Sequence, residues 1–257
     1  NKNNSKFFEA NLLLLIDGFK KREFDQNIDL LYELQKYRED SDYNYIIYEV
    51  LKSYNDLFLT KEINLNNNNF GKLSLINDAF QNCYLNNPET DSKIINLINS
   101  DEGDYTRYLF FYLSNLIKKK DFKTALEASK SINDLDSNLL ILQAKNWIDN
   151  SNFNKLDNIF SCKNESDILA EFFFLISNFL AADKRFEKSN FYSNISNYLN
   201  PKFYFNLTHL ISNYFENKKY KKTEKLLENF NNEDEIYYWY KLKKLAQIIF
   251  TEQSSSQ

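Results

Sequence analysis

Glycine and proline are almost absent from this chain, and their scarcity restricts the fold more than any other feature. The 257 residues contain three glycines and two prolines, where average usage would give roughly 18 and 13. β-Sandwiches and doubly wound α/β folds depend on these residues at their many tight turns. Helices joined by short connections of Asn, Asp, Ser and Lys do not. The composition therefore predicts an all-α fold.

Apolar residues recur at spacings of three and four along nearly the whole chain, which predicts amphipathic helices. The connections between them are short and polar, as at 20–22, 150–152 and 217–219, so consecutive helices are expected to lie antiparallel. The predicted helices are 6–20, 24–37, 43–58, 71–85, 91–99, 105–118, 122–132, 138–149, 153–160, 167–182, 186–199, 202–216, 220–230 and 235–250.

An aromatic residue follows each of five connections, and a small or medium-sized residue stands three positions later. The last four aromatic residues are 31, 33 and 34 positions apart, which indicates a two-helix repeat of about 34 residues. The aromatic residues are Phe24, Phe122, Phe153, Phe186 and Tyr220, and the residues that follow them are Asn27, Ala125, Leu156, Ser189 and Thr223.

With these residues the chain resembles the tetratricopeptide repeat family over about 105–250, and more loosely over 6–37. It is most similar to divergent bacterial members. No unit has the family's glycine after its first helix, and Phe230 stands where a small residue is usual. The resemblance implies a right-handed α-α superhelix, a solenoid of antiparallel helix hairpins. The matching positions of the two clearest units are Phe173, Ile176, Ser177, Leu180, Phe186, Ser189, Ser193, Ser196 and Pro201, then Leu207, Leu210, Tyr214, Tyr220, Thr223, Leu227 and Phe230.

The repeats divide the chain into three predicted parts. Residues 1–104 are expected to form irregular helical repeats, because 43–104 fits no clean unit and contains a run of four asparagines. Residues 105–250 are expected to form the regular repeats, closed by a solvent-facing capping helix over 235–250. Residues 251–257 are expected to be a disordered tail.

Side chains suited to catalysis or metal binding are scarce. His209 is the only histidine and the three glycines are isolated, which excludes a Ser-His-Asp triad, a zinc site and a phosphate-binding loop. Cys83 and Cys162 are predicted to be small buried hydrophobic residues, although a single disulfide between them stays open. The Asp-rich stretches 40–44 and 134–138 lack the glycine and glutamate of a calcium loop and are predicted to cap helices. We expect neither enzyme activity nor a cofactor.

Charge and hydropathy restrict the partners. The formal net charge is −4, and acidic residues neutralise the second of two basic clusters, which lie at 118–120 and 218–225. Nucleic acid is therefore not expected, and a helical-repeat RNA-binding protein is the least favoured alternative. The longest apolar runs have five residues, so no transmembrane segment is expected. The sequence leaves the compartment open between the bacterial cytoplasm and, if an N-terminal signal has been removed, the periplasm.

The resemblance implies a non-catalytic adaptor that holds a peptide or helical segment of another protein in a concave groove. The family's clamp for a C-terminal carboxylate has Lys where this chain has Phe174, so an apolar or amphipathic helical ligand is expected. Alternatively, these positions contact the chain's own N-terminal helices, or the protein is a structural subunit that forms an oligomer through its C-terminal hairpin around Trp239. The predicted groove residues are Phe110, Ser114, Ile141, Lys145, Phe174, Asn178, Thr208 and Ser212.

Overall fold

The structure, a computed structural model, describes residues 7–65, 69–99, 106–132 and 138–254. Within these residues it contains fourteen α-helices, one short 3-10 turn and no β-strand. The predicted all-α fold is confirmed, and most helix ends differ from the prediction by one or two residues. The helices are α1 Phe8–Lys21, α2 Asn27–Gln35, α3 Asp42–Thr60, α4 Lys72–Tyr84, α5 Thr90–Ile98, α6 Thr106–Lys118, α7 Phe122–Lys130, α8 Leu139–Asp149, α9 Phe153–Ile159, α10 Glu165–Ala182, α11 Phe186–Leu199, α12 Tyr204–Glu216, α13 Tyr220–Leu227 and α14 Glu235–Ser254.

One turn geometry recurs between paired helices in the described residues. A residue with left-handed backbone follows the first helix, and the next N–H bonds to the carbonyl five residues back, as from Lys219 N to Tyr214 O at 2.8 Å. This is the Schellman motif. The α4/α5 turn has it too, with Pro88 in place of the aromatic residue, so 43–104 contains a hairpin that its sequence concealed. The left-handed residues, with φ of 55° to 64°, are Arg22, Asn86, Lys120, Ser151, Lys184 and Lys218.

These turns lead to a stability prediction at Lys184. Its φ is 58°, a conformation that costs a residue with a Cβ about 1–2 kcal/mol and that glycine adopts freely. We expect Lys184→Gly to raise the free energy of unfolding by about 0.5–1 kcal/mol after the entropy of the unfolded chain is included. The matched control is Lys188→Gly, on the exposed surface of helix α11, which is expected to cost about 1 kcal/mol. Urea unfolding of both variants checks the prediction, and a destabilised Lys184→Gly would contradict it.

The helices form two compact units, Asn1–Asn115 with Phe160–Leu169 and Leu116–Ile159 with Ala170–Gln257. The predicted division at 104/105 lies outside the described residues. Unit 1 also contains the segment 160–169. The Phe160 ring lies 4.4 Å from the Phe111 ring, measured between centroids.

A disulfide between Cys83 and Cys162 fastens this segment to helix α4, with the two Cα atoms 5.8 Å apart. Both residues are buried, as predicted, but they are paired and not two separate thiols. Seventy-nine positions separate them in the sequence, and only the path of the folded chain brings them together.

Polar contacts hold the same segment. The buried carboxylate of Glu165 accepts hydrogen bonds from Arg22 Nη2 at 2.6 Å and from Tyr84 Oη at 2.8 Å. Lys163 Nζ donates to the Tyr84 carbonyl at 2.6 Å. Burial, together with the bond to Glu165, raises the pKa of Tyr84. Because its charge is paired with Arg22, Glu165 can be buried in unit 1.

In unit 2 the predicted small residues lie between helices α10 and α11. Ser177 Oγ donates to Ser189 O and Ser189 Oγ donates to Ser177 O, both at 2.8 Å. Both side chains are fully buried, so the hydroxyl groups join two closely spaced helices and satisfy each other's backbone. Small residues at these positions let the two helices of the hairpin approach closely.

Helix α14 closes unit 2. Phe230 and Tyr237 are buried with four aliphatic side chains of helices α12 and α13. The helix extends to Ser254, and Thr251 Oγ1 bonds to the Gln247 carbonyl within it. The predicted disordered tail is therefore helical over 251–254, while 255–257 lie outside the described residues. The buried aliphatic partners are Leu207, Leu210, Ile211 and Leu227.

Two capping predictions concern the Asp-rich stretches. Ser41 caps helix α3 by accepting a hydrogen bond from Asn44 N at 3.2 Å. Asn138 caps helix α8 by accepting one from Ile141 N at 3.0 Å. Both stretches therefore provide helix caps, as predicted, although 134–137 lie outside the described residues.

Candidate functional site: the outer face of the C-terminal helix

The two predicted groove residues of unit 1 are buried in its core. Phe110 is fully buried and its ring meets that of Phe111 edge to face, 5.6 Å between centroids. Ser114 Oγ donates to the Phe160 carbonyl at 3.4 Å. These side chains therefore contact their own unit, including the segment 160–169.

Four further groove residues lie on helices α8 and α10 of unit 2. Ile141 is buried, and Lys145 Nζ donates to the Ile132 carbonyl at 3.2 Å. Phe174 is buried, with its ring 5.4 Å from the His209 ring. Asn178 is exposed. Of these four side chains, Asn178 is exposed and Lys145 is half-buried, so a partner could reach these two without rearrangement.

The last two groove residues are covered by helix α14. Tyr240 Oη donates to the Thr208 carbonyl at 3.2 Å and lies 3.2 Å from Ser212 Oγ. Burial raises the pKa of Tyr240 to about 12. Helix α14 also packs on helix α8, where Gln143 Nε2 donates to Asp234 Oδ2. The chain's own C-terminal helix thus contacts Thr208 and Ser212, two residues of helix α12 that were predicted to contact a partner.

The opposite face of helix α14 is apolar and exposed. Trp239 is 67% exposed, Leu242 41%, Ile249 55% and Phe250 72%, and Ala246 between them is exposed too. We call these five residues the α14 stripe. Trp239, Leu242, Ala246 and Ile249 follow one another at spacings of three, four and three, so they form one line along the helix.

A similar arrangement is buried in helix α10. On helix α10 a residue and those three, four and seven positions later are Phe173, Ile176, Ser177 and Leu180, and none is more than 1% exposed. On helix α14 the equivalent pattern is Leu242, Leu245, Ala246 and Ile249, and it lies largely on the exposed side. Helix α14 therefore exposes to solvent an apolar face that resembles the buried face of helix α10.

The sequence predicted a solvent-facing capping helix here and, as one alternative, an oligomer contact around Trp239, but it did not identify the α14 stripe. The sequence signal that could have revealed the α14 stripe is that helix α14 carries apolar residues on two of its faces. Tyr237 and Ile248 are buried against unit 2, whereas Trp239 and Ile249, two and one positions further on, are exposed. A helix that covers one core needs one such face, and the second face indicates a second contact.

A shallow groove of about 590 Å³ adjoins the stripe between the ends of helices α12 and α14, and Phe215, Ala246 and Phe250 form its apolar wall. Lys243 stands at its rim, and Lys244 Nζ lies 4.3 Å from the centre of the Phe215 ring. Burial lowers the pKa of Lys244, and Glu216 partly opposes this shift. The groove widens the apolar surface and places cations along one side of it.

A second cavity, of about 380 Å³, lies between helices α8 and α9 and the connections before α12 and α14. Its charged residues have both signs: Lys155 and Lys202 face Glu233 and Asp234. Burial raises the pKa of the Asp234 carboxyl, which accepts a hydrogen bond from Gln143 and directly precedes helix α14. The raised pKa of Asp234 is therefore explained by its structural role at the start of helix α14, and it does not by itself indicate a binding site.

His209 lies in a polar cluster of unit 2, with Nε2 3.1 Å from Ser177 Oγ. Ser177 is fully buried, so this His–Ser pair cannot present a nucleophile to a substrate. Among the described residues, no group of three His, Cys, Asp or Glu side chains is arranged to hold a metal ion.

No family model, curated protein or solved structure matches this chain. In the part of the chain that the structure describes, no helix has both the length and the apolar character needed to cross a bilayer. The site must therefore be interpreted from its own geometry.

Proposed function

We propose that this protein is a non-catalytic protein-interaction module that binds an amphipathic helix on the α14 stripe. The observation that carries the proposal is the exposure of Trp239, Leu242, Ile249 and Phe250 along one line of a helix whose opposite face is packed. A soluble surface seldom retains contiguous large apolar side chains unless something covers them.

The expected occupant is a helix because of the shape of the stripe. Its residues cover about three turns at spacings of three and four, which match the ridges of an opposing helix. In the preceding hairpin, α13 packs on α12. A helix-in-groove contact also suits the apolar wall of Phe215, Ala246 and Phe250.

The proposal includes a tetratricopeptide-like solenoid as the scaffold. It is supported by the recurring left-handed turn and by the aromatic residues 31, 33 and 34 positions apart that follow it. The small residues at the α10/α11 contact support it too. Such a scaffold binds its partner through a rigid extended surface and does not need catalytic residues.

The predicted concave groove remains the alternative site. Its observed obstacle is Tyr240, which bonds to Thr208 and lies against Ser212. A partner in this groove would have to displace helix α14, whereas a partner on the α14 stripe would leave unit 2 unchanged.

A pull-down from the native lysate tests the function with a matched pair of variants. Leu242→Glu/Ile249→Glu places charge in the stripe, and Phe179→Glu places it on another exposed aromatic residue of unit 2, 51% exposed on helix α10. We expect the wild type and Phe179→Glu to retain the same specific protein, and the stripe variant to lose it. Equal capture by all three folded proteins would contradict the α14 stripe as the binding site.

A further inference from the structure

We propose that the α14 stripe is covered by the α14 stripe of a second copy of this chain, packed antiparallel about a two-fold axis. This inference rests on the proposed function and names the partner of the same site. It makes the protein a dimer whose contact is isologous, with the same surface on both copies.

The order of side chains along the stripe suits this pairing. In an antiparallel pair with its axis near position 244, Leu242 lies opposite the partner subunit's Ala246 and Trp239 lies opposite the partner subunit's Ile249. The two Leu242–Ala246 layers beside the axis each pair a large with a small residue, which allows the helices to approach closely there, and the outer Trp239–Ile249 layers pair large side chains. Because the arrangement is symmetric, each such layer occurs twice.

The exposed area is sufficient for a specific, reversible pair. The four large side chains are 41–72% exposed, and at ~150–250 Å² for each large apolar side chain the stripe offers on the order of 500 Å². Two copies would bury roughly 1,000 Å², which is the lower bound for a biological interface. A dissociation constant in the micromolar range is expected, because interfaces of this size at the small end of the range are weak.

The polar residues beside the α14 stripe suit the same antiparallel alignment of the two helices. Glu235 and Gln253, both exposed at the two ends of the line, lie opposite each other, so the Gln253 amide can donate to the partner subunit's Glu235 carboxylate. The two copies of Lys243 flank the axis and repel each other. Higher ionic strength screens this repulsion, so salt is expected to tighten the pair.

Analytical ultracentrifugation of the full chain tests the proposal. We expect a monomer–dimer equilibrium for the wild type and for Phe179→Glu. Leu242→Glu/Ile249→Glu should raise the dissociation constant by roughly 100-fold or more while the circular dichroism stays unchanged. A wild type that remains monomeric at the highest soluble concentration, or a stripe variant that dimerises normally, would overturn the proposal, as would a pair that salt loosens.

The orientation has a separate readout. Both cysteines are in the disulfide and the described residues contain no free cysteine, so Glu235→Cys and Gln253→Cys can each take one spin label. In the antiparallel pair, mixing the two labelled variants gives a short distance. Two labels at 235 lie at least about 27 Å apart, from about 1.5 Å of rise per residue. A short 235-to-235 distance would indicate a parallel pair and overturn the register.

The two proposals can fail separately. If the wild type is monomeric but only the stripe variant loses the lysate partner, the proposed dimer is wrong and the proposed protein-interaction function is supported. If the wild type is monomeric and every variant captures the same proteins, both proposals fail.

Discussion

Replacing Cys83 and Cys162 by alanine is expected to lower the free energy of unfolding by about 4 kcal/mol. The disulfide closes a loop of 79 positions, and the loop-closure entropy that it removes from the unfolded chain corresponds to roughly 4–5 kcal/mol in the entropic description. For a chain of this size the melting temperature should fall by roughly 10 °C. Differential scanning calorimetry of Cys83→Ala/Cys162→Ala beside the wild type checks the value.

Reductant provides the control for this prediction. It should destabilise the wild type and leave the double variant unchanged, and the denatured wild type should show no free thiol without reductant. Two titratable thiols in the purified wild type would contradict the disulfide.

Phe230→Ala is expected to cost about 3–5 kcal/mol, the usual range for a buried phenylalanine. Phe230 is fully buried, and its ring centroid lies 5.3 Å from that of Tyr204, 5.4 Å from Tyr237 and 6.0 Å from Tyr240. The ring therefore joins helix α12 to helix α14. Its removal should loosen helix α14 and with it the α14 stripe.

The matched control is Phe179→Ala, an exposed phenylalanine of the same unit, which is expected to change the free energy of unfolding by less than about 0.5 kcal/mol. Urea unfolding measures both, and hydrogen exchange along 235–254 measures the attachment of helix α14. If Phe230→Ala costs less than about 1 kcal/mol and helix α14 keeps its protection, the packing described here is not what holds that helix.

The left-handed turns show how far sequence reasoning reaches into local structure. The connections at 120, 184 and 218 were placed correctly, because apolar periodicity ends on either side of them. Their left-handed backbone was not foreseen, because lysine occupies the position where glycine usually indicates it. The hydrogen bonds at the end of each helix require the left-handed backbone, and the lysine side chain does not favour it.

The all-α fold, the helices of the described residues and the turns between paired helices could be predicted from the amino-acid sequence, because these depend on contacts within a few residues and on which face of each helix is apolar. The tertiary structure alone decided that Cys83 meets Cys162, that 160–169 belongs with unit 1, and that Tyr240 covers Thr208 and Ser212. It also decided which apolar face of helix α14 is buried. The sequence shows that Tyr237 and Trp239 are both aromatic, but only the path of the folded chain buries Tyr237 and leaves Trp239 exposed.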